Sequence, residues 1–233
     1  MRRAADPHLG IGSAQVSGGA ASTPSWQGQR GAPTRLILLR HGQTELSVER
    51  RYSGRGNPEL TELGRQQAAA AARRLSAWNI DAVVSSPLQR TRSTAQTVAL
   101  EHGLPVAIED GLIETDFGAW EGLTFSEAAE RDPQIHREWL GDTTIAPPNG
   151  ESFDAVRERV VAARNVIVDA HPGQSVLVVS HVTPIKTLLR DALRVGPEFL
   201  FHLHLDLASV SLVEYFPDGG SVVRSCNDVA HLE

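Results

Sequence analysis

Apolar runs alternate with segments of helical periodicity along most of this chain. Each continuous apolar run is short and bounded by polar or turn residues, which is typical of a buried strand. Near the end, two such runs flank the turn sequence Pro217-Asp218-Gly219-Gly220, which indicates a hairpin. Strands are predicted over 36–39, 81–85, 106–108 and 175–180, and the hairpin over 208–216 and 221–225.

The intervening segments show apolar residues at helical spacing. Thr61 is a good N-cap for the first of them, Pro87 suits the first turn of the second, and Pro133 separates two short helices. The segments 45–57 and 142–150 are polar and predict loops. Because strands alternate with helices, the pattern predicts an α/β three-layer sandwich, with a mostly parallel sheet covered by helices on both faces. Helices are predicted over 61–78, 87–102, 124–140 (as two), 151–171 and 184–193.

The first 33 residues differ from the rest in composition. They are rich in Gly, Ala, Ser and Pro and have neither strand nor helix periodicity, so we predict a flexible linker or tail over 1–33 and one domain over 34–233. A linker at this place predicts fusion to an N-terminal domain in a longer protein.

Bulk composition excludes several classes of function. The net charge of −6 argues against a nucleic-acid partner or an anionic membrane surface. Within the 233 residues there is no apolar run long enough for a spanning helix and no secretory signal. The single cysteine, Cys226, fits a reducing compartment, so a cytoplasmic location is predicted.

Basic residues follow three of the predicted strands. Arg40 and His41 end the first strand, His181 ends the strand over 175–180, and Arg90 lies about one helical turn after Pro87. In an open α/β sheet, ligands bind at the carboxyl ends of the strands. Each residue alone also fits a basic cap or a solvated helix position. Together, in an acidic chain, they predict a site for an oxyanion such as phosphate.

Five sequence blocks resemble the histidine phosphatase superfamily, the phosphoglycerate mutase-like group. They occur in the family's order across about residues 35–225. Any one block is weak evidence, but five in order are specific. The blocks are Arg40-His41-Gly42-Gln43-Thr44, Leu60-Thr61-Glu62-Leu63-Gly64, Ser85-Ser86-Pro87-Leu88-Gln89-Arg90, Glu114-Thr115-Asp116-Phe117-Gly118-Ala119-Trp120-Glu121-Gly122 and Ser180-His181.

The resemblance implies a role for each of five residues. His41 would be the nucleophile that forms a phosphohistidine, which requires a neutral imidazole with a free nitrogen. Arg40, Arg90 and His181 would bind the phosphoryl oxygens, His181 best as a cation. Glu114 would protonate the leaving alcohol and then activate water. The resemblance further implies a small phosphorylated substrate and no metal or organic cofactor.

Two positions depart from the family's pattern. Ser47 stands where the family often has Asn, and Val182 stands where Gly commonly follows the second histidine. We expect the Ser47 hydroxyl and the Val182 amide still to contribute to phosphate binding.

The block from Asp116 to Gly122 resembles the phosphatase branch, which includes alpha-ribazole phosphatases and acid phosphatases. The segments Arg51-Tyr52-Ser53-Gly54-Arg55-Gly56-Asn57-Pro58 and Ser180-His181-Val182-Thr183-Pro184-Ile185-Lys186 resemble the C-terminal phosphatase domain of actinobacterial ribonuclease H/acid phosphatase proteins. A phosphomonoester hydrolase is therefore expected, with alpha-ribazole phosphate as one candidate substrate. The alternatives are phosphoglycerate mutase-type transfer and a non-catalytic phosphate-binding module.

Other polar groups admit two interpretations. His202, His204 and Asp206 alternate, so on a strand they would share a face and imitate a metal site, but no further ligand cluster is evident and we expect no metal. His136 and Trp139 fit either a substrate entrance or simple packing. Arg51 and Arg55 fit either a second anion-binding position or solvated loop charges.

Overall fold

A computed structural model describes residues 29–233, and this part of the chain forms six strands and eight α-helices. Residues 1–28 of the predicted linker (1–33) lie outside the described residues, so the linker and the fusion to a further domain stay predictions. The strands are β1 (Thr34–Arg40), β2 (Ala82–Ser85), β3 (Val106–Ile108), β4 (Ser175–Ser180), β5 (Val210–Tyr215) and β6 (Ser221–Asp228). The helices are α1 (Glu45–Val48), α2 (Glu62–Leu75), α3 (Gln89–His102), α4 (Phe125–Arg131), α5 (Pro133–Trp139), α6 (Phe153–Ala170), α7 (Val182–Leu193) and α8 (Phe199–His202).

The strands form one mixed sheet in the order β3-β2-β4-β1-β5-β6. β1, β2, β3 and β4 run parallel, whereas β5 pairs antiparallel with β1 and with β6. The predicted α/β class with a mostly parallel sheet is confirmed. Since β1 lies between β4 and β5, its carboxyl end is central on the edge where the parallel strands finish.

Both faces of the sheet are covered, which explains why β1 is apolar without alternation. Leu36 and Leu38 pack with α6 and α7 on one face, while Ile37 and Leu39 pack with α2 and α3 on the other. All four side chains are almost fully buried. Strands buried on both faces are expected to be continuously apolar, and helices on the two faces complete the predicted three layers. No helix in residues 29–233 is long and apolar enough to cross a membrane.

Capping residues define most of the predicted helix starts. The Thr61 side chain accepts from the Gly64 N–H at the start of α2, and Pro133 begins α5 directly after α4. The prediction for Pro87 is wrong, because α3 begins at Gln89. The Asn57 side chain accepts from the Gln89 N–H at 2.7 Å and so provides a cap two residues later.

Three local expectations near the site are corrected. α7 begins at Val182 rather than 184, with His181 as its N-cap residue. The short helix α1 forms inside the predicted loop 45–57, closed by a capping box between Thr44 and Ser47. The short helix α8 contains His202, so the strand spacing assumed for His202, His204 and Asp206 does not occur.

Candidate active site

The imidazole of His41 is buried and oriented at the end of β1. Its backbone N–H donates to the Ser180 carbonyl, and its own carbonyl accepts from the Ala208 N–H, both at 3.1 Å. The ring Nδ1 lies 2.7 Å from the Gly42 carbonyl. A carbonyl oxygen only accepts, so Nδ1 carries the hydrogen and the Nε2 lone pair remains available. This is the tautomer a nucleophilic imidazole needs.

The surroundings of His41 keep the imidazole neutral. Burial lowers its pKa well below the usual range, and the positive charges of Arg90 and Arg40 lower the pKa further. The hydrogen bond to Gly42 acts in the opposite direction and is the smaller effect. At neutral pH His41 is therefore unprotonated at Nε2.

Two glycines let α2 approach the turn after His41. A Cβ on Gly42 would lie 2.4 Å from the Gly64 carbonyl oxygen, and a Cβ on Gly64 would lie 2.1 Å from the Gln43 carbonyl oxygen. Neither position has room for a side chain. Backbone contact between the two blocks thus explains the glycine in each, and it fixes the turn that follows His41.

Arg40 stands beside His41 with its charge partly compensated. Its Nη1 donates to the Leu205 carbonyl at 2.6 Å. Burial lowers the pKa of Arg40 to about 10, while the charges of Glu114 and Asp206 oppose that shift. The guanidinium is therefore still a cation at neutral pH, held next to His41.

Arg90 is fully buried and reaches the site from the first turn of α3. Its Nη1 donates to the Gly56 carbonyl at 2.8 Å, and its Nη2 donates to the carbonyls of Gly54 at 2.9 Å and Ser53 at 3.1 Å. Burial lowers its pKa, and the charges of Glu114 and Glu121 oppose this effect. The carbonyls hold the guanidinium plane in one orientation.

His181 faces His41 from the neighbouring strand. The ring centroids are 5.2 Å apart, and the His181 Nε2 lies 2.7 Å from the Ser86 hydroxyl oxygen. Burial lowers the pKa of His181 well below its usual value, and the charges of Arg90, His41 and Arg40 lower the pKa further. The protein's own groups therefore favour the neutral ring, and a cationic His181 beside bound phosphate stays a prediction.

Glu114 completes the group of five. Its carboxylate accepts from the Thr115 N–H at 2.8 Å and from the Thr183 N–H, in the first turn of α7, at 3.4 Å. It is 5% exposed and interacts electrostatically with both Arg40 and Arg90. All five residues carried over from the resemblance thus lie around one edge of the sheet.

Several buried donors in this group lack a partner. Within residues 29–233, Arg40 Nε, Arg90 Nε and His181 Nδ1 are buried without a hydrogen-bond partner. Buried polar groups are nearly always paired, so unpaired ones need an explanation. An oxyanion with several acceptor oxygens would satisfy these groups.

A cavity of about 840 Å³ opens from His41 and Arg40. One part of its wall is apolar and largely aromatic, contributed by the loop after Glu114 and by α4, α5, α6 and α8. This volume is much larger than a phosphoryl group. The apolar residues from these segments are Phe117, Phe125, Trp139, Leu140, Phe153, Leu200 and Phe201.

The two departures from the family's pattern both line this cavity. The Ser47 hydroxyl donates to the Thr44 carbonyl at 2.6 Å and accepts from the Thr44 N–H at 2.9 Å. Its only hydrogen is thus used in the α1 cap. Val182 is the first residue of α7, and the role of its amide stays a prediction.

The structure places each of the four residues for which the sequence left two interpretations open. Trp139 lines the cavity, whereas His136 is buried in the aromatic cluster with its Nε2 2.9 Å from the Tyr52 hydroxyl. Arg51 borders the cavity but pairs with Glu49 and Glu127. Arg55 pairs with Glu151 at 3.3 Å and is not among the residues lining the cavity.

Sequence reasoning missed Lys186 and Arg50. Lys186 borders the cavity, donates to the Leu200 carbonyl at 2.7 Å, and has a pKa lowered by burial. Its position five residues after His181, on the helix that leaves the site, was the available signal. Arg50 also borders the cavity, and a positive φ of 54° sets its direction, which no sequence pattern indicates.

The three residues that could imitate a metal site do not form one. His204 pairs with Asp206 at 3.2 Å, and His202 belongs to α8. Residues 29–233 contain no group of three or more His, Cys, Asp or Glu side chains arranged for a metal ion.

Comparison with known proteins decides the family. The model of the histidine phosphatase superfamily (branch 1) matches residues 36–228. This chain belongs to that superfamily. As a histidine phosphatase superfamily member, it is 60% identical over 212 residues to "Bifunctional protein Rv2228c" of Mycobacterium tuberculosis, a match that covers 91% of this chain and 58% of the relative. The chain thus spans little more than half the length of that relative.

Other relatives match over nearly their full length. "Phosphoserine phosphatase 1" of Hydrogenobacter thermophilus is 34% identical over 199 residues, covering 85% of this chain and 94% of the relative. The solved structure of Bacillus stearothermophilus YhfR has a TM-score of 0.81 at 35% identity and covers 86% of this chain and 100% of its own. The mycobacterial glucosyl-3-phosphoglycerate phosphatase Rv2419c, solved with VO3, has a TM-score of 0.78 at 31% identity, with 84% and 100% covered. The named relatives include phosphatases for different substrates.

Proposed function

We propose that this chain hydrolyses phosphomonoesters through a phosphohistidine at His41. The observation that carries the proposal is the buried, neutral His41 with Nδ1 bound to the Gly42 carbonyl and Nε2 free, beside the guanidinium of Arg40. Fixed positive donors around a transferring phosphoryl group are the main catalytic device in such chemistry.

The reaction has two steps. In the first step Glu114 acts in its protonated form: Nε2 of His41 attacks phosphorus, the bond from phosphorus to the alcohol oxygen breaks, and the Glu114 carboxyl gives its proton to the departing oxygen. In the second step the Glu114 carboxylate takes a proton from water, and the water oxygen attacks phosphorus. The bond from phosphorus to Nε2 breaks, which releases inorganic phosphate and restores the free imidazole of His41. Arg40, Arg90 and His181 hold the three non-bridging oxygens, His181 through Nδ1. The two guanidiniums supply the positive charge, so we propose that no metal or organic cofactor takes part.

The cavity wall indicates the kind of alcohol that leaves. Phe117, Phe125 and Phe153 line the same cavity as His41 and Arg40, in which a leaving group would lie. Burying apolar surface there stabilises a complex by about 25 cal/mol per Å². We infer a leaving group with an apolar or aromatic body; alpha-ribazole 5′-phosphate, with its benzimidazole base, fits this description. Phosphoglycerate, which is small and highly charged, would gain little from the aromatic residues and would depend on the cations that border the cavity, such as Arg50 and Lys186.

A panel of phosphomonoesters tests the proposal. Phosphate release is measured with an aryl phosphate, alpha-ribazole 5′-phosphate, phosphoserine and 3-phosphoglycerate, each with and without excess chelator. We expect the aryl phosphate and alpha-ribazole 5′-phosphate to have the highest kcat/KM, with no effect of chelator and no activity in His41→Ala. Isomerisation of phosphoglycerate without phosphate release would instead establish a mutase. A folded wild-type chain that binds phosphate but hydrolyses none of the esters would establish a binding module.

A further inference from the structure

The phosphoryl-binding residue Arg90 is oriented by a segment without regular secondary structure. Its guanidinium donates to the carbonyls of Ser53, Gly54 and Gly56, at 3.1, 2.9 and 2.8 Å. Residues 53–56 belong to neither a helix nor a strand, so the hydrogen bonds of regular secondary structure do not orient their carbonyls. Some other contact must hold this segment in place.

Glu121 makes that contact. Both of its carboxylate oxygens accept from the Gly54 N–H, at 2.9 and 3.1 Å, and Oε1 also accepts from the Gly56 N–H at 3.0 Å. The peptide group between Ser53 and Gly54 therefore has its N–H on the Glu121 carboxylate and its C=O on the Arg90 guanidinium. A peptide dipole between an anion and a cation is stabilised at both ends.

The glycines of this segment are explained by the same contact. A Cβ on Gly56 would lie 2.6 Å from Glu121 Oε1, and a Cβ on Gly54 would lie 2.9 Å from Oε2 and 2.2 Å from the Thr115 carbonyl oxygen. Only residues without a side chain allow the carboxylate to reach both amides. The charge of Glu121 also opposes the lowering of the pKa of Arg90 that burial causes.

We propose that Glu121 is a positioning residue for Arg90, acting through the backbone of residues 53–56. The proposal rests on the role of Arg90 in phosphoryl binding given above. Without the carboxylate, the two amides lose their acceptor, the segment relaxes, and the guanidinium loses its orientation toward the phosphoryl oxygens. Glu121 itself touches neither substrate nor the reacting atoms.

The test compares Glu121→Ala and Glu121→Gln with a matched control. The control is Asp218→Ala. In the wild-type chain the Asp218 carboxylate also accepts from two backbone amides, those of Arg30 and Gly220, each at 3.0 Å. Asp218 lies in the turn between β5 and β6, at the opposite end of the sheet from His41. Each variant is measured by calorimetric titration with inorganic phosphate, by kcat and KM on an aryl phosphate, and by thermal unfolding.

We expect Glu121→Ala to weaken phosphate binding about 10-fold or more, since it removes acceptors from buried amides and disorders a charged donor. Glu121→Gln should lie between Ala and wild type, because its amide oxygen still accepts. Arg90→Ala combined with Glu121→Ala should lose no more than Arg90→Ala alone. Asp218→Ala should bind phosphate like wild type, even where its stability falls by a similar amount.

Phosphate affinity within twofold of wild type in Glu121→Ala would overturn the proposal, as would losses that add fully with Arg90→Ala. If Glu121→Ala fails to fold, the Gln variant decides by the same criterion. Inactivity of the wild-type chain on every ester would contradict the proposed function instead. The phosphate titration distinguishes failure of the Glu121 proposal from failure of the proposed function, because phosphate binding is measured without turnover.

Discussion

The imidazole rings of His41 and His181 lie with their centroids 5.2 Å apart and their planes at 61°. They follow adjacent parallel strands, in which Arg40 is paired with Ser180. His41 has its Nδ1 on the Gly42 carbonyl, whereas His181 has its Nε2 on the Ser86 hydroxyl. The two rings thus keep different nitrogens free, as the proposed roles of His41 in attack on phosphorus and of His181 in binding an oxygen require.

Replacing Ser86 should therefore impair His181 while leaving the hydrogen bond of the His41 ring unchanged. Ser86→Ala leaves Nε2 of a fully buried ring without its partner at 2.7 Å. We expect kcat/KM on an aryl phosphate to fall about 10- to 100-fold, the usual effect of losing a hydrogen bond that orients a functional histidine.

Thr97→Ala is the control for this variant, because Thr97 donates only to the Ser93 carbonyl on the exposed side of α3. It should retain wild-type kinetics. Wild-type kcat/KM in Ser86→Ala would show that His181 does not depend on this contact.

The same buried histidines predict how stability depends on pH. The pKa values of His41 and His181 are lowered well below 6.5 in the folded state. Below about pH 6.5 the unfolded chain binds protons that the folded chain does not, so the free energy of unfolding decreases as the pH falls. Each ring contributes up to about 1.4 kcal/mol per pH unit.

Urea unfolding in phosphate-free buffer at pH 7.5, 6.5 and 5.5 measures this dependence. Stability should be highest at the upper pH, and His41→Asn should show a shallower decrease than wild type. Equal slopes for wild type and His41→Asn would argue against a neutral, buried His41.

Much of the fold could be predicted from local pattern. The strands β1 and β4 are buried on both faces, so their continuous apolar runs identify them without an alignment. The strand order could not be predicted, since it depends on which faces of α2, α3, α6 and α7 cover the sheet. The start of α3 was missed because its cap, Asn57, lies 32 residues away in the chain.

Part of the candidate site could likewise be predicted from the sequence, and part could not. His41 and His181 could be found because parallel strands bring their carboxyl ends to one edge, and the resemblance supplied the role of Glu114. The cavity wall could not be found, because Phe117, Phe153 and Phe201 come from separate segments whose spacing carries no common signal. Lys186 could not be distinguished from other helix residues by sequence pattern, because its ammonium is oriented by the Leu200 carbonyl of α8.

Gly64 should tolerate no side chain. A Cβ there would lie 2.1 Å from the Gln43 carbonyl oxygen, so Gly64→Ala must push α2 away from the turn that carries His41. We expect a loss of about 1–3 kcal/mol in unfolding free energy together with reduced kcat.

Gly141→Ala is the matched control, since the nearest atom to its Cβ would be the Glu138 carbonyl oxygen at 4.0 Å. Its stability should stay within about 0.5 kcal/mol of wild type. Equal stability of the two variants in chemical unfolding would contradict the close approach at Gly64.

The aromatic wall should select substrates. Phe125 lines the cavity yet is 52% exposed, so Phe125→Ala removes apolar contact area at little structural cost. We expect kcat/KM for an aryl phosphate to fall about 10-fold, while that for a small alkyl phosphate changes less than twofold.

Leu100→Ala is the control, because Leu100 is 71% exposed on α3 and is not among the residues lining this cavity. An equal decrease for aryl and alkyl esters in Phe125→Ala would mean that the wall does not contact the leaving group.

The most direct measurement of the central claim is to trap the covalent intermediate. The chain is mixed briefly with a ³²P-labelled phosphomonoester, quenched in alkali and digested, and the labelled peptide is identified. We predict an acid-labile, alkali-stable phosphohistidine at His41 that disappears in His41→Ala, with the variant still folded by circular dichroism. Label on His181, or turnover in His41→Ala within about tenfold of wild type, would contradict it.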